Sequence, residues 1–274
     1  MMRLGRIGYV NCFPVYGAMD RGVVAPPATL VTGTPAELND RLADGRLDVS
    51  VISAVAYAQR PGEYELLPDL AISSDGPVRS VLLFSRRAPA DLDGARVLVS
   101  TASRTSVQLL DLLARDRWGV RFATAPAPAE RADLARLASV PHDAVLVIGD
   151  GALLLGAAGV YPHVVDLGEA WKAWTGLPFV FAVWAARRAV HGAAVREVHR
   201  ALLASRKWGL ANLDALAADA AAATGVARDR CREYLGGLDY GLSYRHLAGL
   251  SDFLRRLAAR GVVPDGTLSF LGAA

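Results

Sequence analysis

The sequence predicts an α/β fold in two lobes, each with a mixed sheet and flanking helices, and a helical C-terminal tail. Strand-like runs alternate with helix-like runs in two successive stretches, the pattern of a mostly parallel sheet covered by helices. A polar segment rich in Pro, Asp and Arg, residues 86–94, separates the two stretches, and helical periodicity dominates after Arg188. With 274 residues, 53% of them hydrophobic, the chain can bury two modest cores.

The first stretch opens with a strand over Arg6–Val10, which ends before Pro14. Thr34-Pro35-Ala36-Glu37 is a strong helix start, because Thr can cap the helix, Pro suits its first position and Glu can complete a capping box. The other predicted elements here are strands at Thr29–Val31, Val49–Ile52, Leu70–Ser73 and Val81–Ser85, and helices at Val15–Arg21 and Ser53–Tyr57.

The second stretch repeats the alternation, and Phe179–Ala185 is an apolar run suited to a buried strand. Its predicted strands are Val97–Val99, Arg121–Ala123, Ala144–Ile148 and Val164–Asp166, with helices at Ser103–Trp118, Ala132–Ala138 and from Gly149, and a linker at Pro126–Pro128. Residues 1–86 with 186–274 are predicted to form one lobe and residues 87–185 the other, with a ligand cleft between them. The tail helices are expected near 190–211, 214–223 and 247–260.

Composition limits the classes of partner. The net charge is +3 and the basic residues are scattered, which argues against nucleic acid as a partner. The N-terminus lacks a secretory apolar region and no apolar run is long enough for a membrane span, so a cytoplasmic location is expected. Cys12 and Cys231 are expected to be buried thiols, and the oligomeric state is not readable.

Small polar residues follow the predicted strands. Such residues at the carboxyl ends of strands would line the cleft and suit a small oxygen-rich anion held by amides and hydroxyls. The candidates are Asn11, Ser53, Ser80, Ser100, Ser103, Thr105, Ser106, Gly149 and Asp150.

The turn Ser100-Thr101-Ala102-Ser103-Arg104-Thr105-Ser106 has two readings. It lies between a strand and a helix start, where free amides and the helix dipole favour an anion. Ser103 could instead simply cap the helix. Its position at a strand end, among the other candidates, favours the anion site.

Several familiar motifs are missing. The sequence has no nucleotide-binding glycine loop, no zinc-protease motif, no nucleophile elbow and no histidine cluster with metal-ligand spacing. We therefore expect no metal and no cofactor. The only lysines are Lys172 and Lys207, which leaves little room for Schiff-base chemistry.

A set of motifs, in order along nearly the whole chain, resembles the chorismate dehydratase family of the futalosine route to menaquinone. Those motifs include Gly8-Tyr9-Val10-Asn11, Gly33-Thr34-Pro35, Gly76-Pro77-Val78-Arg79-Ser80-Val81, Ser103-Arg104-Thr105-Ser106, Ile148-Gly149-Asp150-Gly151 and Asp166-Leu167-Gly168. The resemblance implies the fold of type II periplasmic binding proteins. It also implies the conversion of chorismate into 3-[(1-carboxyvinyl)oxy]benzoate and water.

The resemblance also suggests roles. Thr105, Ser106 and the amides after Ser103 would hold one carboxylate, Ser80 would hold one from the other lobe, and Asn11 would act on the reacting groups. Asp150 is the one acid of the set, and a helix-start role is favoured for it over that of a base. The enolpyruvyl carboxylate of the substrate would then take the proton.

Three alternatives stay open at this point. A solute-binding protein of the same fold would bind a small carboxylate without chemistry. The sister enzyme of the pathway, 1,4-dihydroxy-6-naphthoate synthase, shares the fold but calls for a clearer proton acceptor, such as a histidine near the cleft. A sensor domain is the third alternative, and no DNA-binding helix pair supports it.

Overall fold

Two five-stranded sheets form the framework of the chain, which a computed structural model describes for residues 2–127, 131–137 and 139–272. The strands are β1 (Arg3–Ile7), β2 (Thr29–Gly33), β3 (Val49–Ser53), β4 (Tyr64–Ser74), β5 (Val81–Ser85), β6 (Arg96–Ser100), β7 (Ala123–Ala127), β8 (Ala144–Ile148), β9 (His163–Asp166) and β10 (Phe179–Arg187). The helices are α1 (Phe13–Asp20), α2 (Pro35–Ala43), α3 (Ala54–Ala58), α4 (Arg104–Leu112), α5 (Leu134–Leu137), α6 (Gly149–Ala158), α7 (Leu167–Thr175), α8 (Gly192–Ala211), α9 (Leu213–Thr224), α10 (Arg228–Gly236) and α11 (Tyr244–Ala258).

The two sheets share one strand order. The first sheet runs β2-β1-β3-β10-β4, and the second runs β7-β6-β8-β5-β9. Each sheet contains three parallel strands, and the one that comes first in the chain lies between the other two. An antiparallel strand from elsewhere in the chain pairs with the last of the three. That inserted strand is β10 in the first sheet and β5 in the second.

The packing of the chain divides it at other positions than predicted. One unit comprises Met1–Ser73 with Val180–Ala274, and the other comprises Ser74–Phe179. This division differs from the predicted boundaries at 86/87 and 185/186. β5 pairs with β8 and β9 of the second sheet, and β10 pairs with β3 of the first. Strand pairing over many residues, rather than local composition, decides which unit a segment joins.

Most predicted elements are confirmed, with shifted ends. The strand predicted over Arg6–Val10 is Arg3–Ile7, and Val10–Cys12 forms a 3-10 turn instead. The strand predicted at Arg121–Ala123 is Ala123–Ala127; it includes Pro126, which an edge strand tolerates because its outer amides need no partner. Pro128 of the predicted linker and Ala138 of the predicted helix lie outside the described residues. Helices α7 and α10 were not predicted.

The predicted capping box of α2 is present. The backbone N–H of Thr34 donates to Glu37 Oε2 at 2.8 Å, and that of Glu37 donates to Thr34 Oγ1 at 3.3 Å. These bonds hold the pKa of Glu37 below its usual range. The two cysteines are free and buried, as expected. No helix in the described part of the chain is long and apolar enough to cross a membrane.

Helix α8 fixes the start of α1, directly after the turn that carries Asn11. A Cβ atom on Gly209 would lie 2.1 Å from the backbone oxygen of Pro14, so only glycine permits this approach of the two helices. Nearby, Trp184 Nε1 donates to the Tyr16 hydroxyl at 3.0 Å, and that hydroxyl donates to Gly5 O at 2.9 Å. The turn after β1 is therefore held by buried packing on α1.

Candidate active site

Asn11 lies at the carboxyl edge of the first sheet. It is the middle residue of the 3-10 turn Val10–Cys12, which follows β1 directly. Its Oδ1 atom is buried and has no hydrogen-bond partner among the described residues. A buried acceptor without a donor carries a desolvation cost, so a polar group at this position calls for an explanation beyond folding.

Ser53 ends β3 at the same edge, where it pairs with Ala182 of the antiparallel β10. It is 4% exposed, and its hydroxyl caps α3 by accepting the backbone N–H of Ala56 at 3.3 Å. Its oxygen also accepts Asn39 Nδ2 at 3.2 Å, and its backbone N–H donates to Asn39 Oδ1 at 3.0 Å. Asn39 was not among the sequence candidates, and no local motif marks it.

The second unit collects the remaining candidates at one edge of its sheet. Val81 of β5 pairs with Ile148 of β8 in antiparallel fashion, so Ser80 lies beside Gly149, whose N–H donates to Ser80 O at 2.8 Å. β6 runs parallel to β8, which brings the end of β6 to the same edge. Ser80 was predicted to act from the opposite lobe to Ser106. That prediction was wrong, because both residues belong to this unit.

The turn Ser100–Ser106 contains a helix cap and a hydrogen-bonded pair of hydroxyls. Ser103 caps α4, since its Oγ accepts the N–H of Ser106 at 3.1 Å. The Ser103 and Ser106 hydroxyls lie 2.9 Å apart, so one donates to the other and one proton of the pair has no acceptor among the described residues. Ser100 Oγ accepts the N–H of Ala102 at 3.2 Å. Thr105 is buried beside them, 1% exposed.

Helix α6 starts at the same edge but, unlike α4, without a side-chain cap. Gly149 has φ +61°, and Ile148 before it gives the helix no side-chain cap. Asp150 lies in the first turn, where a carboxylate interacts favourably with the helix dipole. The backbone amides at this helix start therefore add donor character to an edge already rich in hydroxyls.

Asp166 holds the loop that leads into Ser80. Its Oδ1 accepts the N–H of Val78 at 3.1 Å and its Oδ2 accepts that of Arg79 at 2.6 Å, while Oδ1 also caps α7 through Gly168 N at 2.9 Å and Glu169 N at 3.1 Å. Arg79 has φ +60°, a conformation that a non-glycine residue keeps only when its surroundings fix it. Burial raises the pKa of Asp166, although these four amides act in the opposite direction. The sequence named Asp166 only as part of a motif.

Three of the five histidines lie at the strand ends opposite to these edges, and two lie on the tail helices α8 and α11. His142 precedes β8, His163 begins β9, and His191 follows β10, at the ends opposite to the candidate residues. His199 on α8 donates to Pro68 O at 2.7 Å, and His246 on α11 contacts Asp239 at 3.1 Å. Among the described residues, no group of three or more His, Cys, Asp or Glu could hold a metal.

The shared strand order, with an antiparallel strand inserted after the parallel trio, is that of type II periplasmic binding proteins. Solved structures agree on this class. The chain superposes on the alkanesulfonate-binding protein SsuA of Xanthomonas axonopodis pv. citri with a TM-score of 0.70 at 18% identity, covering 97% of this chain and 95% of that one. At that identity the likeness establishes the fold alone.

Residues 2–259 match the family described as "Menaquinone biosynthesis", and the chain belongs to that family. It is 35% identical over 239 residues to the chorismate dehydratase of Thermus thermophilus, covering 81% of this chain and 84% of that protein. It is also 30% identical over 216 residues to the 1,4-dihydroxy-6-naphtoate synthase of the same organism, covering 77% of this chain and 75% of that protein.

Proposed function

We propose that this protein is a chorismate dehydratase, a carbon–oxygen lyase that converts chorismate into 3-[(1-carboxyvinyl)oxy]benzoate and water. The 35% identity to the Thermus thermophilus enzyme supports this function over most of the chain. The structural observation that carries the proposal is the makeup of the two carboxyl edges. They present buried hydroxyls, helix-start amides and an Asn11 oxygen that has no partner among the described residues; each kind of group suits a carboxylate substrate that reacts without a protein nucleophile.

The hydroxyl-rich edge of the second unit is proposed to bind a substrate carboxylate. Thr105 and Ser106 are buried at the start of α4, and Ser80 and Gly149 lie next to each other at the same edge. Hydroxyl and amide donors bind a carboxylate strongly because the acceptor is charged. Ser100 and Asp150 complete this edge, with Asp150 in the role of a helix-start residue.

Asn11 is proposed to act on the reacting atoms. In the reaction a ring carbon loses a proton and the ring hydroxyl departs, so the two leave together as water and the ring becomes aromatic. The Asn11 amide can accept a hydrogen bond through Oδ1 and donate through Nδ2, so it can orient the departing hydroxyl or the enolpyruvyl group. The proton acceptor that fits an edge poor in bases is the enolpyruvyl carboxylate of the substrate itself.

The naphthoate synthase is the second candidate, because the chain is 30% identical to that enzyme as well. Its reaction calls for a clearer protein base. His142, His163 and His191 do not supply one at the carboxyl edges, since each lies at the opposite end of its strand. This distribution favours the dehydratase. A binding protein without chemistry is the third candidate, on grounds of fold alone.

Incubation of the purified protein with chorismate separates the three candidates. The dehydratase must consume chorismate and release one enolpyruvyl-oxybenzoate per chorismate, measured by the new benzoate absorbance and by chromatography against an authentic standard. Binding of chorismate without turnover would identify a binding protein. No effect on chorismate, with turnover of cyclic dehypoxanthinyl futalosine, would identify the synthase. The cytoplasmic location stays a prediction from the sequence.

A further inference from the structure

The side chain of Asn39 is fully committed to Ser53. Asn39 lies on the buried face of α2, 3% exposed, and contacts Ser53 through both atoms of its amide. The backbone N–H of Ser53 can only donate, so the amide atom that faces it at 3.0 Å must be Oδ1. It follows that Nδ2 is the atom that faces Ser53 Oγ at 3.2 Å, and that the Ser53 oxygen accepts there.

This contact decides where the Ser53 proton can go. The Ser53 oxygen accepts a second bond from the N–H of Ala56 at 3.3 Å, so both of its acceptor positions are used. Among the described residues no acceptor faces the remaining proton. Ser53 is a buried residue, 4% exposed, and an unused donor there is costly to fold, so the orientation of its hydroxyl calls for a ligand oxygen.

A cap alone would not require Asn39. Thr34 caps α2 in the same unit through one accepted bond, from Glu37 N, and among the described residues no side chain donates to its hydroxyl as Asn39 does to that of Ser53. A hydroxyl with one accepted bond can rotate its proton, whereas two accepted bonds fix it. Asn39 thus adds a constraint that capping α3 does not need.

We propose that Asn39 is a positioning residue for the dehydratase reaction: it fixes the Ser53 hydroxyl as a hydrogen-bond donor to a carboxylate of the bound substrate. The inference rests on the proposed function and deepens it. It assigns the Ser53 hydroxyl the role of a hydrogen-bond donor to the substrate. Neither the position of Ser53 in the sequence nor its capping of α3 specifies that role.

Asn39→Asp is the sharpest test, because it keeps the acceptor for Ser53 N but replaces the donor by a second acceptor. Ser53 would then donate to the introduced carboxylate and lose its proton as a donor to substrate. We expect KM for chorismate to rise about tenfold or more, the effect of one hydrogen bond to a charged group, with a smaller change in kcat. The matched control is Asn212→Asp, since Asn212 lies between α8 and α9 and its Nδ2 donates to Trp208 O at 2.7 Å.

A double-mutant cycle with Ser53→Ala separates positioning from a general structural role. If Asn39 acts through Ser53, Asn39→Asp costs about tenfold in kcat/KM in the wild-type background but less than about threefold in Ser53→Ala. Ser53→Thr, which keeps the hydroxyl, should restore most of the activity. An equal loss in both backgrounds would overturn the inference, as would a lowered Tm with unchanged kcat/KM.

Two further outcomes are decisive. Should Asn39→Asp fail to fold, Asn39→Ala takes its place in the cycle: it removes the donor to Ser53 Oγ and, with it, the acceptor for Ser53 N. If the wild-type protein converts chorismate but the losses of Asn39→Asp and Ser53→Ala are additive, the inference about Asn39 is overturned and the proposed function is not. A wild-type protein that does not convert chorismate overturns the proposed function and this inference with it.

Discussion

The two units of the chain have the same strand order but differ at the ends of their strands. In the first unit the strand at the centre of the parallel trio leads into a 3-10 turn with Asn11, and in the second it leads into the Ser100–Ser106 turn. The first edge contributes an amide oxygen without a partner among the described residues, and the second contributes hydroxyls. The shared topology thus supplies equivalent positions, and the residues placed there decide the chemistry.

The helices after the third strand of each trio show the same contrast. In the first unit α3 has only five residues, and Ser53 caps it with the support of Asn39. In the second unit α6 has ten residues and no side-chain cap, and it begins at Gly149 with a positive φ. One edge is therefore built around a fixed hydroxyl and the other around backbone amides, and mutations at the two edges should have separable effects.

The largest effect is expected at Asn11. Asn11→Ala should lower kcat by about 100-fold or more, the scale of losing one group that stabilises the transition state. Tm should change little, because Oδ1 has no hydrogen bond to lose within the described chain. Steady-state kinetics and thermal unfolding measure the two effects. Asn212→Ala is the control, with lower Tm and normal kcat, since Asn212 does make a bond. Equal losses of kcat and Tm in Asn11→Ala would mark Asn11 as structural.

Mutations at the edge of the second unit should weaken substrate binding rather than lower kcat. Thr105→Val with Ser106→Ala should weaken chorismate binding by about 1–3 kcal/mol, because charge-assisted bonds to a carboxylate would be lost. The cap from Ser103 Oγ to the backbone N–H of Ser106 is kept in this variant, so Tm should fall only modestly. Titration calorimetry with the benzoate product measures the loss. An unchanged Kd would remove the turn from the site.

Comparing alanine variants of two glycines in the second unit separates the effect of backbone strain from an effect on substrate binding. Gly149 and Gly94 both have positive φ, +61° and +69°, so alanine at either should lower the free energy of unfolding by about 1–2 kcal/mol. Gly149 lies at the candidate edge and Gly94 in a loop before β6. We expect only Gly149→Ala to raise KM as well. Denaturant unfolding and kinetics on both variants check this, and matching KM increases would contradict it.

The smallest expected effect is on how the stability of the first unit depends on pH. Burial lowers the pKa of His199 below its usual value near 6.5. The folded state therefore binds fewer protons than the unfolded state, and its stability is lost as pH falls from about 6.5 toward the lowered pKa. His199→Gln keeps a donor for Pro68 O and should flatten this part of the Tm–pH curve. An unchanged slope would assign the pH dependence to other groups.

Local signals in the sequence were sufficient for much of the fold. The capping box at Thr34 and Glu37 formed as expected, because its bonds join residues three apart. The pairing of β5 with the second sheet and of β10 with the first was not predictable in the same way. Val81 pairs with Ile148 and Ala182 with Ser53, and no local composition encodes such distant partners.

The candidate site divides along the same line. The candidates could all be named from the sequence, since each lies at or near the end of a strand: Asn11, Ser53, Ser80, Ser100, Ser103, Thr105, Ser106, Gly149 and Asp150. Asn39 could not, because it lies within a helix and meets Ser53 only through packing. The support of Arg79 by Asp166, 87 residues away, was equally hidden.

By itself the sequence determined the α/β class, the family resemblance and the kinds of group available for chemistry. These follow from residue types and short-range periodicity. Only the tertiary structure decided which unit holds Ser80, which acceptor remains without a partner in the described chain at Asn11, and how the Ser53 proton is directed. Those properties depend on distances between residues far apart in the chain, and such distances are fixed only when the strands pair and the helices pack.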